Sequence, residues 1–189
     1  TWDFDATMDI ELADLSIDGK PRKVLMQAPK NGFLYVIDRT NGKLISAEPY
    51  TKVTWASHVD LATGRPVENP GVRFQDGKPK LIAPTSNGGH NWMAMATSPQ
   101  TGLVYIPEIE FEAYYQDIAY QWKPSTDRTV DGGVLIMGGP ANGTKPAAGN
   151  LLAWNPVTQK PAWKIPRPTF LNGGVLATGG KLVFQGPFT

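Results

Sequence analysis

The chain of 189 residues carries 18 basic and 17 acidic side chains, scattered to a net charge of +1, so it offers no electrostatic footprint for nucleic acid or an anionic membrane surface. It has no cysteine, which excludes a disulfide framework, a cysteine-based zinc site and c-type haem attachment within these residues, and its six tryptophans exclude a disordered chain. Twenty glycines and 17 prolines without a collagen period favour short strands joined by tight turns, and no apolar run approaches the ~20 residues that span a bilayer.

In chain order, the first feature is Trp2-Asp3-Phe4-Asp5, two carboxylates alternating with aromatic rings. It follows Thr1, with neither a signal peptide nor an initiator methionine, and the far end, Gly186-Pro187-Phe188-Thr189, comes straight after a strand-like run. Both ends are expected to be cuts within a longer protein. Residues 23–28 and 33–37 read as strands bracketing the turn Pro29-Lys30-Asn31-Gly32. The turn Asp38-Arg39-Thr40-Asn41-Gly42-Lys43 then has copies at Asp60-Leu61-Ala62-Thr63-Gly64-Arg65 and Ser98-Pro99-Gln100-Thr101-Gly102. Their glycines and polar residues suit the positive φ that such turns need. Residues 103–107 form the next strand, and residues 111–122, rich in aromatics, are the one stretch whose spacing allows a short helix. A strand at 151–154 leads into the fullest copy of the turn, Ala153 to Trp163, with the pattern A-x-[DN]-x-x-T-x-K-x-x-W. Residues 174–178 and 181–186 close the chain as a hairpin around Gly179-Gly180.

Short strands recurring with these turns predict an all-β fold of four-stranded antiparallel blades stacked radially, a β-propeller of which the chain holds about four blades. A β-sandwich also has regular short strands. The eleven-residue copy that ends in Trp163 favours the propeller, because a tryptophan at a fixed offset from a turn can pack between neighbouring blades. An open arc leaves unpaired strand edges and half a core, so it is not expected to be stable alone.

Four features stand apart from the repeat. On a strand, Asp3 and Asp5 would point to one face and could share a cation, or they could simply turn the chain. A carboxylate among rings can also act as a base near neutral pH. Lys30 is either a solvated hairpin tip or a functional cation. Gly88-Gly89-His90-Asn91-Trp92 can bring backbone close to a planar ligand, or it is a loop with a packed ring. Asn172-Gly173-Gly174-Val175 reads as a tight turn. His58 and His90 are the only histidines, lack metal-ligand spacing, and are expected to be satisfied structural residues.

Together these motifs resemble the pyrroloquinoline-quinone (PQQ)-dependent methanol and ethanol dehydrogenase family, over essentially the whole chain from Trp2 to Gly186. The stretch from Ala28 to Ala47, the Trp-Asp-Phe-Asp opening and the closing run from Asn172 to Gly186 carry the resemblance, and the Trp163-ended repeat is similar to the family's tryptophan docking motif. The resemblance implies a partial eight-bladed propeller, residues 1–189 being the C-terminal half of a PQQ-binding domain. It implies Asp3 as the catalytic base and a metal ligand, and Lys30 as the cation bonding the quinone oxygens. Asn91 and Trp92 become cofactor contacts, with Val175 near the cofactor. Asp5 matches an additional aspartate of the lanthanide-using subgroup, while Ala6-Thr7 is more similar to the quinohaemoproteins, so calcium is expected, with a lanthanide as the alternative.

What is implied as a whole is a periplasmic enzyme oxidising a small primary alcohol to an aldehyde. It would pass electrons to cytochrome c or a quinone, with any haem c in a downstream domain. The family's remaining metal ligands, a Glu and an Asn, its vicinal disulfide and the tryptophan floor under PQQ would lie upstream, so the isolated piece is expected to bind PQQ poorly. The rival readings are a PQQ-dependent sugar or polyol dehydrogenase and a non-enzymatic propeller scaffold of the outer-membrane assembly type. A scaffold has no reason to keep Asp3, Lys30 and Asn91-Trp92 together. The aromatics Phe111, Tyr114, Tyr115, Tyr120 and Trp122 are a candidate wall of a substrate funnel, or core packing.

Overall fold

A computed structural model describes residues 2–6, 8–119 and 133–187. Thr1, Thr7, Tyr120, Trp122, Phe188 and Thr189 lie outside the described residues. The chain runs through β1 (Glu11–Ile17), β2 (Lys20–Gln27), β3 (Phe33–Asp38), β4 (Leu44–Pro49), β5 (Ala56–Asp60), β6 (Arg65–Glu68) and β7 (Lys80–Ile82). It continues through β8 (Ala96–Ser98), β9 (Leu103–Glu110), β10 (Ala113–Asp117) and β11 (Val134–Gly138). Then come β12 (Ala148–Asn155), β13 (Lys160–Arg167), β14 (Asn172–Ala177) and β15 (Val183–Pro187). Among the described residues there is no α-helix, only one 3-10 turn at Pro140–Asn142.

Two sheets are complete four-stranded units, in the orders β1-β2-β3-β4 and β13-β12-β9-β8, and every pairing in them is antiparallel. The reason they stack is visible in β12. From Leu151 to Trp154 its side chains are apolar without alternation, and successive residues of a strand face opposite ways. Leu152 and Trp154 enter one core with Val24, Met26, Leu34 and Val36 of the first sheet and Val104 and Ile106 of β9. Leu151 and Ala153, one residue out of step, enter another with Tyr105 and Val175 of β14. A sheet covered on both faces by other sheets is a propeller blade; the outer sheet of a two-layer sandwich has one face open to water.

The turn repeat makes the blade corners. Asp38 Oδ1 accepts the Thr40 N–H at 2.9 Å between β3 and β4, and Asn155 Oδ1 accepts the Val157 N–H at 2.9 Å between β12 and β13. The copy at Asp60 closes the same way, Ala62 N–H to Oδ1 at 2.9 Å, but it joins the separate hairpin β5-β6. Trp154 is buried and its indole N–H donates to Gln159 Oε1 at 3.3 Å; Gln159 Nε2 donates to Ser46 Oγ of β4 at 2.8 Å, tying the second blade to the first. Trp163, which ends the repeat, packs its ring on Tyr105, centroids 5.7 Å apart, on the face toward β14.

The chain leaves the blades twice, and the two excursions meet. Strand β7, placed between the blades in sequence, pairs with β10, which is inserted between β9 and β12; β11 pairs on the other edge of β10. The short helix that the spacing allows over residues 111–122 is therefore not formed among the described residues of that stretch, 111–119. Ala113 and Tyr115 are buried and Tyr114 and Gln116 half-buried, a period of two, and tyrosine is at ease on a pleated surface. Trp2, Phe33, Trp55, Phe74, Ile82 and Tyr115 form a third core that closes these excursion strands over one end of the first blade.

Candidate active site

The segment at residues 2–6 is held by its rings. Trp2 and Phe4 pack against Trp55 with centroids 5.0 and 5.2 Å away, and the Arg73 guanidinium lies 4.6 Å over the Trp2 ring. Asp3 and Asp5, alternating with those rings, are left on the other side, their side chains 67% and 49% exposed. This is not the strand expected from the spacing: Asp3 has φ 59°, a left-handed conformation that a non-glycine residue rarely adopts. The carboxylates nevertheless converge. Lys30 Nζ lies 3.2 Å from Asp3 Oδ2 and 2.6 Å from Asp5 Oδ1.

Lys30 is no solvated tip, its side chain being only 10% exposed. Its turn, between β2 and β3, is fixed from several directions. Tyr50 Oη donates to Pro29 O at 2.8 Å, Asn31 Nδ2 donates to Tyr35 Oη at 2.8 Å, and the Trp55 indole N–H donates to Asn31 O at 3.0 Å. Burial alone would lower the Lys30 ammonium, but the bonds it donates to Asp5 and Asp3 outweigh that and hold the pKa above the ordinary lysine value. The Lys30 bond in turn holds the Asp5 carboxyl below its usual range, against a smaller effect of burial.

The loop carrying Asn91 and Trp92 is pinned to the same turn. Gly88 makes this possible: it has φ 79°, and a Cβ there would lie 2.6 Å from Lys30 Cα. Next to it the Gly89 N–H donates to Lys30 O at 3.1 Å, and Gly89 O accepts the Ile109 N–H of β9 at 2.7 Å. His90 is fully buried, with Nδ1 2.8 Å from Ala28 O and Nε2 2.5 Å from Met93 O. Burial pushes its imidazole below the ordinary value, against those two carbonyls. It is the satisfied structural histidine expected; His58 is exposed, beside Ser57 Oγ at 2.9 Å. Asn91 donates from Nδ2 to Asn87 O at 2.9 Å and accepts the Trp92 N–H at 2.9 Å, while Trp92 as a residue is 62% exposed.

Val175 stands behind this loop. Its N–H donates to Ala94 O at 2.8 Å and its side chain is buried with Tyr105, Leu151 and Ala153. The structure thus joins Asp3, Asp5 and Lys30 directly, and brings up Asn91, Trp92 and Val175 through backbone bonds. Sequence reasoning missed Trp55 and Arg73, which hold the aspartates in place; no local pattern marks them, since their partner Trp2 is far away in the chain.

Among the described residues no three His, Asp or Glu side chains gather as a metal site. Asp3 and Asp5 do offer oxygen donors to a single positive charge, the place Lys30 Nζ takes, and hard cations prefer oxygen. They fit as part of a calcium or lanthanide site whose other donors come from elsewhere. For a planar cofactor, the Trp92 side chain and the buried ammonium are the corresponding features.

A family model described as the glucose/ethanol/alcohol dehydrogenase β-propeller domain (PQQ) matches residues 1–61. Quinohemoprotein alcohol dehydrogenase ADH IIB of Pseudomonas putida is 57% identical over 98% of this chain, which corresponds to 26% of that protein. The structure of the quinohemoprotein alcohol dehydrogenase ADHIIG of Pseudomonas putida superposes with a TM-score of 0.86 at 42% identity, covering 98% of this chain and 28% of that one. A europium-containing methanol dehydrogenase gives a TM-score of 0.80 at 32% identity, over 97% of this chain and 32% of that one. The chain thus spans only about a quarter of the length of the two Pseudomonas relatives. These likenesses, together with the blade packing, assign the chain to the PQQ-dependent (quinoprotein) alcohol dehydrogenase family, as part of its propeller.

Proposed function

We propose that the chain is a C-terminal part of the propeller of a periplasmic enzyme that oxidises a primary alcohol to an aldehyde. The observation that carries this reading is the buried Lys30 ammonium set between two exposed carboxylates, beside the loop that carries Asn91 and Trp92. PQQ, when bound, supplies the two-electron acceptor, and a calcium ion, or alternatively a lanthanide, supplies Lewis-acid polarisation. Asp3 and Asp5 would provide carboxylate oxygens to that ion, as part of a larger ligand set.

The chain's own residues do the rest. Asp3, exposed and reachable, accepts the alcohol's hydroxyl proton on a carboxylate oxygen. Lys30 stays charged and points its N–H donors at an oxygen gaining negative charge, as an oxyanion hole does. Trp92, a largely exposed residue, would contact a planar group, and Asn91 fixes the backbone beside it through the Trp92 N–H. The hairpin β14-β15, with Leu176 and Phe184 exposed, suits a blade completed by residues of the rest of the propeller. Electron transfer to a cytochrome c or a quinone accords with relatives named 1-butanol dehydrogenase (cytochrome c) and alcohol dehydrogenase (quinone), dehydrogenase subunit.

The test is turnover by the full-length protein, loaded with PQQ and calcium or a lanthanide, on a series of primary alcohols with an artificial electron acceptor. Asp3→Asn is expected to abolish turnover while PQQ stays bound, read from its absorbance. Absence of PQQ-dependent alcohol oxidation overturns the reading, and near-normal turnover in the variant overturns the role of Asp3.

A further inference from the structure

The small sheet of β7, β10 and β11 is no blade, yet it returns one side chain to the Lys30 turn. Tyr115, in the middle of β10, is 1% exposed and packs with Phe33, Trp55 and Ile82, its ring 5.7 Å from that of Phe74. Its hydroxyl oxygen accepts the Ser86 N–H at 2.7 Å. Ser86 opens the loop that lies on Lys30: the Gly88 N–H closes back on Thr85 O at 2.8 Å, Gly88 sits against Lys30 Cα, and the Gly89 N–H bonds Lys30 O. The other end of that loop is clamped by His90 between Ala28 O and Met93 O. Tyr115 is therefore the strut that reaches the loop from outside the blades. Its phenol also feels the site: burial raises its pKa most, and the Asp3 charge adds to that while Ser86 and Lys30 act the other way.

We propose that Tyr115 is a positioning residue for Lys30: its hydroxyl fixes the loop at residues 86–89 that covers the Lys30 stem, and so sets where the ammonium stands relative to Asp3 and Asp5. The inference rests on the reading of Lys30 as the cation of the site. Without the hydroxyl, the Ser86 N–H loses its acceptor and the loop loses one of the bonds that hold it in place, the one that comes from outside the blades. The ammonium is needed where charge develops, so its displacement acts on the transition state more than on alcohol binding.

The experiment compares Tyr115→Phe with Phe74→Leu in the full-length, PQQ-loaded protein. Phe74 packs on the Tyr115 ring but makes no bond to the loop. Tyr115→Phe keeps the ring and is expected to lower kcat roughly tenfold with the alcohol KM within about twofold, as a small misplacement of a reacting group does. Hydrogen exchange at the Gly88 and Gly89 amides is expected to quicken. Phe74→Leu is expected to lower the melting temperature while leaving kcat and that exchange near wild type. Wild-type kcat and exchange in Tyr115→Phe overturn the proposal, and so does the same fall in kcat in Phe74→Leu. If the wild-type protein itself shows no PQQ-dependent turnover, the functional reading fails, and unchanged amide exchange in Tyr115→Phe still refutes the strut independently.

Discussion

In the two blades, the residues that make a strand also make the neighbouring blade's core. Val24 and Met26 of β2, Leu34 and Val36 of β3, Val104 and Ile106 of β9 and Leu152 and Trp154 of β12 are one contiguous apolar layer. The excursion strands are held differently. β5, β6, β7, β10 and β11 are short and largely half-exposed, and a few rings distant in sequence, Trp2, Trp55, Phe74 and Tyr115, tie them down. The reactive side chains lie on the seam between these regions. Lys30 comes from a blade turn, and Asp3 and Asp5 from a segment stapled by Trp55 and Arg73. The contrast teaches that blade packing should govern stability and the seam should govern turnover, so substitutions in the two places ought to separate the two quantities.

The sharpest break is at Lys30. Lys30→Ala is expected to lower kcat of the PQQ-loaded full-length protein by roughly 10²–10³, the usual loss for one donor to a developing oxyanion. The urea midpoint should move little, because the turn keeps the Tyr50, Asn31 and Trp55 bonds that do not involve the lysine side chain. An unchanged kcat would make Lys30 a turn residue with two incidental ion pairs.

The same division explains what could be read from the sequence. The blades were legible because their information is local: an Asp or Asn that bonds the N–H two residues on, and a run of apolar residues on both sides of it. Residues 38–43 and 153–163 encode their corners unaided. The seam was half legible. The motif around Lys30 marked the lysine, the pair Asp3 and Asp5 marked itself, and the family resemblance put them in one site, but the sequence carried no sign that Lys30 would bond both carboxylates, nor that Asp3 would take φ 59°. The excursion was opaque. The aromatics of residues 111–122 have a spacing that suits a helix, and what makes β10 a strand is pairing with Lys80–Ile82 on one side and Val134–Gly138 on the other. Those partners lie far away in the chain, and no local propensity encodes them.

Blade packing is tested at Trp154. Trp154→Ala empties a buried indole site and cuts the link through Gln159 to Ser46, and is expected to cost about 3–5 kcal/mol of unfolding free energy, as large-to-small core changes do. Measured by urea unfolding, that loss should exceed the loss from Lys30→Ala, while turnover by the protein that remains folded should stay near wild type. Equal stability of the two variants would mean that the blades are not held by this interface.

The smallest expected effect concerns the corners themselves, through pH. Asp38 has a lowered pKa, first because the Thr40 hydroxyl bonds it, at 2.5 Å, and then through the Thr40 N–H and the Arg22 charge, against burial. Asp60 is lowered chiefly by the Ala62 N–H and Asp76 chiefly by the Lys78 N–H. A carboxyl whose folded pKa is depressed contributes stability above its unfolded value, near 3.9 for aspartate, and that contribution disappears as pH falls through the folded pKa. Melting temperature should therefore fall below about pH 4, and Asp38→Asn should flatten part of that fall. The amide oxygen of that variant would still accept the Thr40 N–H, so at pH 7 it should lose only the part of the stability that belongs to the charge. A pH profile identical to wild type would mean that the corner depends on the shape of the Asp38 side chain alone, which would make the blade turns as indifferent to charge as the apolar layer they connect.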